Sequence, residues 1–348
     1  MSHTNAPIKS LVTGALGFTG RHLVARLKER GDKVLATDLT PDAPEDLGVP
    51  YLPLDVTNLA ALIHTFTGVD VVFHVASLIQ TRQADEKQVW DVNFQGTDNV
   101  IVACKEVGVK RLVYVSSASV VYEGEDIERG DETLPYSART PAPYVHSKIE
   151  AEKRVLAAHE KDGLRTCALR PHVVFGPGDG RFLPAIQKRA TEGRLRYAVG
   201  RKEKLSDFTY ITNLIDALVL AEEGLATNPE VGGEAFFITN GEPRPFWDFV
   251  NDLLKQLDLP TTRHRVPFSI AYPAATVVEL FRAFTGRSQV PEDGLTRFAI
   301  RYMCTHHYFS IKKARQLLGY RPAVSLKEGI QETVAHQKAE GEVQKPEP

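Results

Sequence analysis

Tyr144 and Lys148 stand four residues apart in Tyr144-Val145-His146-Ser147-Lys148. On a helix that spacing puts both side chains on one face, one turn apart. A phenol with an ordinary pKa of about 10 is a poor base at neutral pH. A nearby ammonium stabilises the phenolate and makes the pair an acid/base suited to a hydroxyl or a carbonyl. The same letters also describe an amphipathic helix whose tyrosine packs and whose lysine is solvated. His146 points to another part of the helix and reads as a surface histidine without a catalytic task.

A second group precedes this pair. The apolar run Arg111 to Ser116 ends in Ser116-Ser117-Ala118-Ser119. In a doubly wound sheet these serines emerge at the carboxyl edge of a strand, where ligands bind, and one of them can donate to a substrate oxygen. An ordinary serine-rich turn looks the same.

The third group is Gly14-Ala15-Leu16-Gly17-Phe18-Thr19-Gly20, between Leu11-Val12-Thr13 and the amphipathic segment Arg21 to Arg30. Gly14 permits a tight turn, Gly17 lets backbone approach a pyrophosphate, and Gly20 lets helix pack on strand. Phosphates would sit on the amides of the helix start, where the macrodipole favours negative charge. The next apolar run, Lys33 to Asp38, ends in an acid 18 residues after Gly20. Its carboxylate can accept both ribose hydroxyls of an adenosine. A ligand-free glycine turn, with Asp38 merely opening the turn before Pro41, is the alternative. Strand, turn, helix, strand and acid in register favour dinucleotide binding. Leu39, Thr40 and Pro41 offer no Arg for a 2′-phosphate, so the expected cofactor is NAD rather than NADP.

These groups need a sheet to hold them. Short apolar runs at Ser10 to Thr13, Lys33 to Asp38, Tyr51 to Leu54, Val69 to Val75, Arg111 to Ser116 and Thr166 to Leu169 alternate with helical spacing at Phe18 to Arg30, Leu59 to Thr67, Lys87 to Val107 and Tyr144 to Lys161. Runs as apolar as Val71-Val72-Phe73 need cover on both faces, which helices returning over a parallel sheet provide. The expected fold is α/β: a doubly wound Rossmann parallel sheet with a smaller, mainly helical C-terminal substrate lobe. Residues 8–175 form the dinucleotide-binding domain, and about 206–240, with a late strand at Glu234 to Thr239, complete its sheet. Residues 176–205 and 241–336 form the lobe, and 1–7 and 339–348 are tails. No linker rich in Gly, Ser or Pro divides the chain, so the lobes share an interface.

Composition narrows the partners. The chain has 348 residues, 43% hydrophobic and 25% charged, with 42 basic and 44 acidic side chains, which suits a globular protein and gives no basic field for nucleic acid. Cys104, Cys167 and Cys304 are odd in number and widely spaced, and they read as buried hydrophobes in a reducing cytosol. No signal peptide and no apolar run of spanning length is present, so a cytoplasmic location is expected. His306-His307 offers no ligand spacing, and no metal is expected. The basic cluster Arg194, Arg196, Arg201, Lys202 and Lys204 reads as a solvated loop or a diphosphate clamp.

Taken together, the motifs resemble the extended short-chain dehydrogenase/reductase superfamily, and within it the 3β-hydroxysteroid dehydrogenase branch, from Ile8 to about His336. Its TGxxGFxG is Thr13 to Gly20, its acidic strand end Asp38 and its adenine contact Asp55-Val56. HxAS is His74-Val75-Ala76-Ser77, and VNxxGT is Val92-Asn93-Phe94-Gln95-Gly96-Thr97. The active-site strand is Tyr114 to Ser117, the YxxxK pair is Tyr144 and Lys148, and the nicotinamide-side motif is Leu169-Arg170-Pro171-His172-Val173-Val174-Phe175-Gly176-Pro177-Gly178. Tyr210 to Ala217 and Tyr308 to Pro322 match later family segments.

The resemblance implies roles that spacing alone does not give. Ser117, Tyr144 and Lys148 would be catalytic. Gly14, Gly17, Phe18, Thr19, Gly20, Asp38, Asp55, Val56, Ala76, Ser77, Asn93, Ser116, Tyr144, Lys148, Pro171 and Val173 would surround the cofactor, with Asn93 chiefly a structural prop. Lys148 would also hold the nicotinamide ribose, and Pro171 to Val173 would line the carboxamide pocket. A homodimer through the Lys87 to Val107 and Tyr144 helices is implied in the same way. So is a peripheral membrane contact through 266–285, there read as a short amphipathic helix from Pro273, ended by Gly286, exposing Val277, Leu280, Phe281 and Phe284. A core helix packed on the lobe is the alternative.

The expected activity interconverts a secondary alcohol and a ketone on a hydrophobic substrate, foremost a 3β-hydroxysteroid or sterol, including a 4-carboxysterol that loses its carboxylate. An enzyme of the same fold acting on an NDP-sugar, a flavonoid or a 3-oxoacyl chain is the competitor. A non-catalytic dinucleotide sensor, which typically lacks the Tyr-Lys pair, is the reading from another class.

Overall fold

The structure is a computed structural model that describes residues 7–78, 86–138, 142–200, 204–285 and 296–341. Most of both tails, Arg201 and Lys202 of the basic cluster, and Gly286 lie outside these residues. Seven strands form the central sheet in the order Ala235–Ile238, Arg165–Pro171, Arg111–Val115, Val71–His74, Lys9–Thr13, Lys33–Asp38 and Tyr51–Pro53, every pair parallel. Alternate residues of each strand face opposite sides. Val12, Phe73, Val113 and Cys167 meet Leu23 and Leu27 of helix Phe18–Arg30 and Leu214 and Leu218 of helix Ile211–Thr227. Leu11, Val72, Leu112 and Ala168 meet Leu62 and Phe66 of helix Leu59–Phe66, Val100 and Cys104 of helix Gly96–Glu106, and Ala151 and Val155 of helix Pro143–Ala157. Cover on both faces is why the strands read as unbroken apolar runs. The strand order reverses beside Lys9–Thr13, and that switch point opens a crevice at the carboxyl edge.

The late strand joins this sheet at its edge, as Ala235–Ile238. The helix expected over Lys87 to Val107 is not continuous. Helix Glu86–Trp90 widens into a π turn at Asp91–Gln95 before Gly96–Glu106 resumes the α form. Such a turn accommodates one extra residue and re-aims the side chains within it; here Asn93 is buried.

The C-terminal lobe carries more strand than its periodicity suggests. Arg244–Pro245, Leu205–Ser206, His307–Phe309 and Ile127–Gly130 form a second sheet, and His264–Val266 pairs with Tyr197–Val199. Strands of two or three residues carry too little alternation to be read locally. Cys104 and Cys167 are buried, whereas Cys304 is half-buried.

Helix Phe268–Phe284 begins a full turn earlier than Pro273, which lies inside it. The bond that Pro273 cannot make would reach Ser269, which is exposed, so the missing bond falls on the solvent side of the helix. At 17 residues the helix is about 25 Å long, short of the roughly 30 Å hydrocarbon core. Among the described residues no helix is long and apolar enough to cross a membrane. Ala271 and Ala275 pack on Val199 and Ile300, while Val277, Leu280, Phe281 and Phe284 are exposed. The apolar face therefore does not belong to the core. Phe281, 68% exposed, should accept Phe281→Asp with a stability change of about 0.5 kcal/mol or less in a thermal melt. A loss of several kcal/mol would show that the face is packed.

Candidate active site

The glycine turn closes on itself and on the neighbouring strand. Gly14 takes φ +67°, and a Cβ there would lie 2.7 Å from the Ala76 backbone. A Cβ on Gly20 would lie 2.0 Å from the Gly14 carbonyl oxygen, so side chains at either place would break the turn. No side chain caps helix Phe18–Arg30, and its first turn holds no acid. The start of this helix thus offers uncapped amides and a positive dipole end to a phosphate. Asp38 ends its strand with a carboxylate that accepts from the amides of Leu16 (2.9 Å) and Leu39 (2.7 Å), which fixes it beside the turn. Asp55 is exposed, capping Thr57, and Val56 beneath it packs where a Cβ on Gly96 would otherwise sit. This donor set fits a dinucleotide: an anion cradle, then an acid for the ribose.

A buried polar chain fixes the crevice floor. Thr97 donates to the Asn93 carbonyl (2.6 Å), so its hydroxyl accepts from His74 Nε2 (2.9 Å). His74 Nδ1 then accepts from Thr13 (2.8 Å), whose oxygen takes the amides of Val75 and Ala76. Burial pushes His74 down to about 3, which keeps it neutral and fixes this tautomer. The Asn93 side chain accepts from Leu78 N (2.7 Å) and Ser77 (3.2 Å) and donates to Leu78 O (2.8 Å) and Ser147 (3.0 Å). These bonds occupy its amide, so it braces the exit of strand Val71–His74 against the Tyr144 helix.

Two candidate catalytic side chains, Ser117 and Tyr144, act on one another here, and Lys148 follows on the Tyr144 helix. Ser117 ends strand Arg111–Val115 by capping the short turn Ala118–Val121, and its hydroxyl shares a 2.8 Å bond with Ser119. Ser116 is buried, its backbone tied to Leu169 (2.7 Å) on the strand that ends at Pro171. Pro143 starts the next helix and Tyr144 follows it, half-buried. Burial raises the Tyr144 phenol above its ordinary value, while hydrogen bonds from Ser117 and Ser77 and the charge of Arg181 pull it down. Ser77, expected against the cofactor, thus also meets the phenol.

Lys148 behaves differently from the expectation. Its Nζ donates to the Val115 carbonyl (2.6 Å) and sits 4.3 Å over the Tyr114 ring, so it is aimed at the sheet, and the charge found pulling on Tyr144 belongs to Arg181. Burial lowers Lys148 to about 7, with Glu152 opposing. Glu152, one turn further along, is clamped by Arg170 (3.1 Å to each oxygen) and Tyr136 (2.7 Å). Its helical spacing from Lys148 was the visible signal for this backing pair. His146 is exposed.

Beyond Pro171, Val173 takes an unusual φ of +38°, and His172 turns inward to His307 Nδ1 (2.8 Å) and Tyr302 (3.1 Å). Burial keeps both imidazoles neutral, His307 near 4. Sequence spacing showed no acid near His306, yet parallel pairing of Ile127–Gly130 with His307–Phe309 brings Asp126 and Glu128 to it. Lys204 already pairs with Asp126, and His306 accepts from Leu205 N (3.1 Å), so the group is satisfied by protein. Of that cluster, Arg194 pairs with Glu192 (3.3 Å) and Lys204 with Asp126.

A family model for the 3-beta hydroxysteroid dehydrogenase/isomerase family matches residues 11–269. The sterol-4-alpha-carboxylate 3-dehydrogenase (decarboxylating) of Mus musculus is 37% identical over 330 residues, 94% of this chain and 90% of that protein. The 2-alkyl-3-oxoalkanoate reductase of Stenotrophomonas maltophilia (strain K279a) is 39% identical over 328 residues, 93% of this chain and 97% of that one. The solved structure of MoeE5 in complex with UDP-glucuronic acid and NAD superposes with a TM-score of 0.71 at 25% identity, covering 95% of this chain and 99% of that chain. The glycine cradle, the acid behind it and the Ser-Tyr-Lys edge thus sit in an extended short-chain dehydrogenase/reductase fold, and the chain belongs to the 3-beta hydroxysteroid dehydrogenase/isomerase family of nicotinamide-dependent oxidoreductases.

Proposed function

We propose that the protein oxidises the 3β-hydroxyl of a 4-carboxysterol with NAD and that the 4-carboxylate then leaves as carbon dioxide. The observation carrying this reading is the identity to the mouse sterol-4-alpha-carboxylate 3-dehydrogenase across 94% of the chain. Ser117 donates to the carbinol oxygen and holds it at Tyr144. The Tyr144 oxygen, as phenolate, takes the hydroxyl proton. Lys148, one helical turn further on, is anchored on the Val115 carbonyl beneath the pair. Bound NAD supplies the two-electron acceptor for the carbinol carbon. With a ketone at C3, the bond from C4 to the carboxylate breaks, its electron pair moves into an enolate on the C3 oxygen, and Tyr144 returns its proton there. No further catalytic group is needed.

The test is NADH formation on a panel of sterols, 4-carboxysterols, 3-hydroxyacyl compounds and UDP-sugars. Best turnover on a UDP-sugar would overturn the reading. The 39% identity to a 2-alkyl-3-oxoalkanoate reductase favours one second reading, reduction of such an acid, which belongs on the same panel.

NAD is favoured over NADP by Asp38, whose carboxylate would bond ribose hydroxyls and repel a 2′-phosphate, and by the exposed Leu39 after it. Replacing Asp38 with Ala and Leu39 with Arg should move the ratio of catalytic efficiencies towards NADP by about ten- to hundredfold, the worth of charge-assisted bonds. A wild-type preference for NADP would refute the assignment. Contact of the exposed Phe281 face with a bilayer surface and pairing of two copies through the helices around Trp90 and Tyr144 belong to the same proposal. Vesicle flotation and the mass in solution test them.

A further inference from the structure

Arg181 ends the segment Gly176-Pro177-Gly178-Asp179-Gly180 and stands immediately before helix Phe182–Thr191. The amides at that helix start are spoken for. The Asp179 carboxylate accepts from the backbone N–H of Arg181 (2.9 Å), Phe182 (3.1 Å) and Leu183 (2.9 Å). The Arg181 guanidinium, by contrast, is exposed and makes no hydrogen bond or close ion pair with a described residue, although its charge pulls the neighbouring Asp179 carboxyl, which burial raises, back down. The other arginine of this edge, Arg170, is buried and binds Glu152 through Nε and Nη2, leaving only its buried Nη1 without a partner among the described residues.

Position gives the free guanidinium its meaning. The loop bearing it leaves the carboxyl edge just after Pro171 to Val173, beside the strand that delivers Ser116 and Ser117. Its charge acts on the Tyr144 phenol. His22, on the helix that starts at the Gly14 to Gly20 cradle, lies 4.0 Å from a Cβ position on Gly178 of the same loop, so the cofactor phosphates are the competing anion for Arg181.

We propose that Arg181 receives a substrate carboxylate borne by the carbon next to the reacting carbinol. The inference rests on the functional reading above for the placement of that carboxylate. A guanidinium matches a carboxylate with two parallel N–H donors, which fixes orientation as well as supplying attraction. Anchored this way, the acid holds its neighbouring carbinol against Tyr144 and Ser117, and a neutral sterol lacks the anchor.

The experiment compares acid with neutral partner: a 4-carboxysterol against the same sterol without the carboxylate, and a 2-alkyl-3-hydroxy acid against its methyl ester. The readout is the acid-to-neutral ratio of kcat/KM in the wild type, in Arg181→Met and in Arg181→Lys, with NADH affinity measured by fluorescence. Loss of the pull on Tyr144 affects both members of a pair and cancels in the ratio. Arg181→Met should lower the ratio by about ten- to hundredfold, the usual worth of charge-assisted bonds, and Arg181→Lys should recover part of it. An unchanged ratio, or a loss confined to NADH affinity, overturns the assignment of Arg181. Turnover of the alkanoate pair without the sterol pair overturns the sterol reading alone, and the ratio on the alkanoates still decides Arg181. Turnover of neither pair overturns both.

Discussion

Tyr144→Phe is expected to lower turnover by about 10² to 10⁴ while NAD affinity and the thermal midpoint stay near those of the wild type. The substitution removes one oxygen and leaves the half-buried ring and the helix that Pro143 starts. That oxygen is the proposed proton-transfer atom, whose pKa Ser117 and Ser77 pull down against burial. Because burial holds the phenol above its ordinary value, the base form is favoured as pH rises, and wild-type alcohol oxidation should climb on the alkaline side. The variant should lose that limb. Steady-state rates across pH, with cofactor titration, check both parts; turnover above roughly a tenth of wild type would remove Tyr144 from the mechanism.

Lys148→Met should cost turnover comparably and also weaken cofactor binding, yet its effect on stability should depend on pH with a defined sign. Lys148 is 2% exposed and is lowered to about 7 in the folded chain, against 10.5 for an ordinary lysine. Between those values the unfolded chain binds the extra proton, so this group's contribution to stability rises with pH from about 7 to 10.5. Below 7 the full penalty of a buried ammonium is present. Methionine carries no such penalty, so the variant should gain on the wild type as pH falls from 10 to 7. Denaturation midpoints at both ends of that window measure the gap. A gap that is flat or opposite in sign would mean that the lysine is not buried as a costly cation.

Local chemistry was legible and tertiary aim was not. The Gly14 to Gly20 turn and Asp38 could be read because a dinucleotide is gripped by neighbouring elements whose periods change from strand to helix within a short stretch. The Tyr144 and Lys148 spacing gave a shared helix face, but not that Lys148 would turn to Val115 and Tyr114, which come from another strand. The spacing around Asn93 reads as a plain helix; the π turn that buries it depends on bonding five residues back, which leaves no pattern in side-chain polarity. Pro273 reads as a helix start by a sound local rule, and exposure of the preceding turn lets the helix begin earlier. Arg181 sits among glycines, in a loop without periodicity to flag it.

The pairing of Ile127–Gly130 with His307–Phe309 sets a schedule for biosynthesis. His306 N donates to Asp126 (2.8 Å) across 180 residues of chain. At about 5 to 20 residues per second, a ribosome takes roughly ten to forty seconds to deliver that partner after the first strand emerges. Through that interval Ile127–Gly130 is an open edge able to pair with another nascent chain. The alternation of Glu128 and Arg129 along it puts charge on that edge, a guard against premature partners. A message truncated before His307 would leave the edge open for good, and its product should aggregate even though every strand of the central sheet had been made.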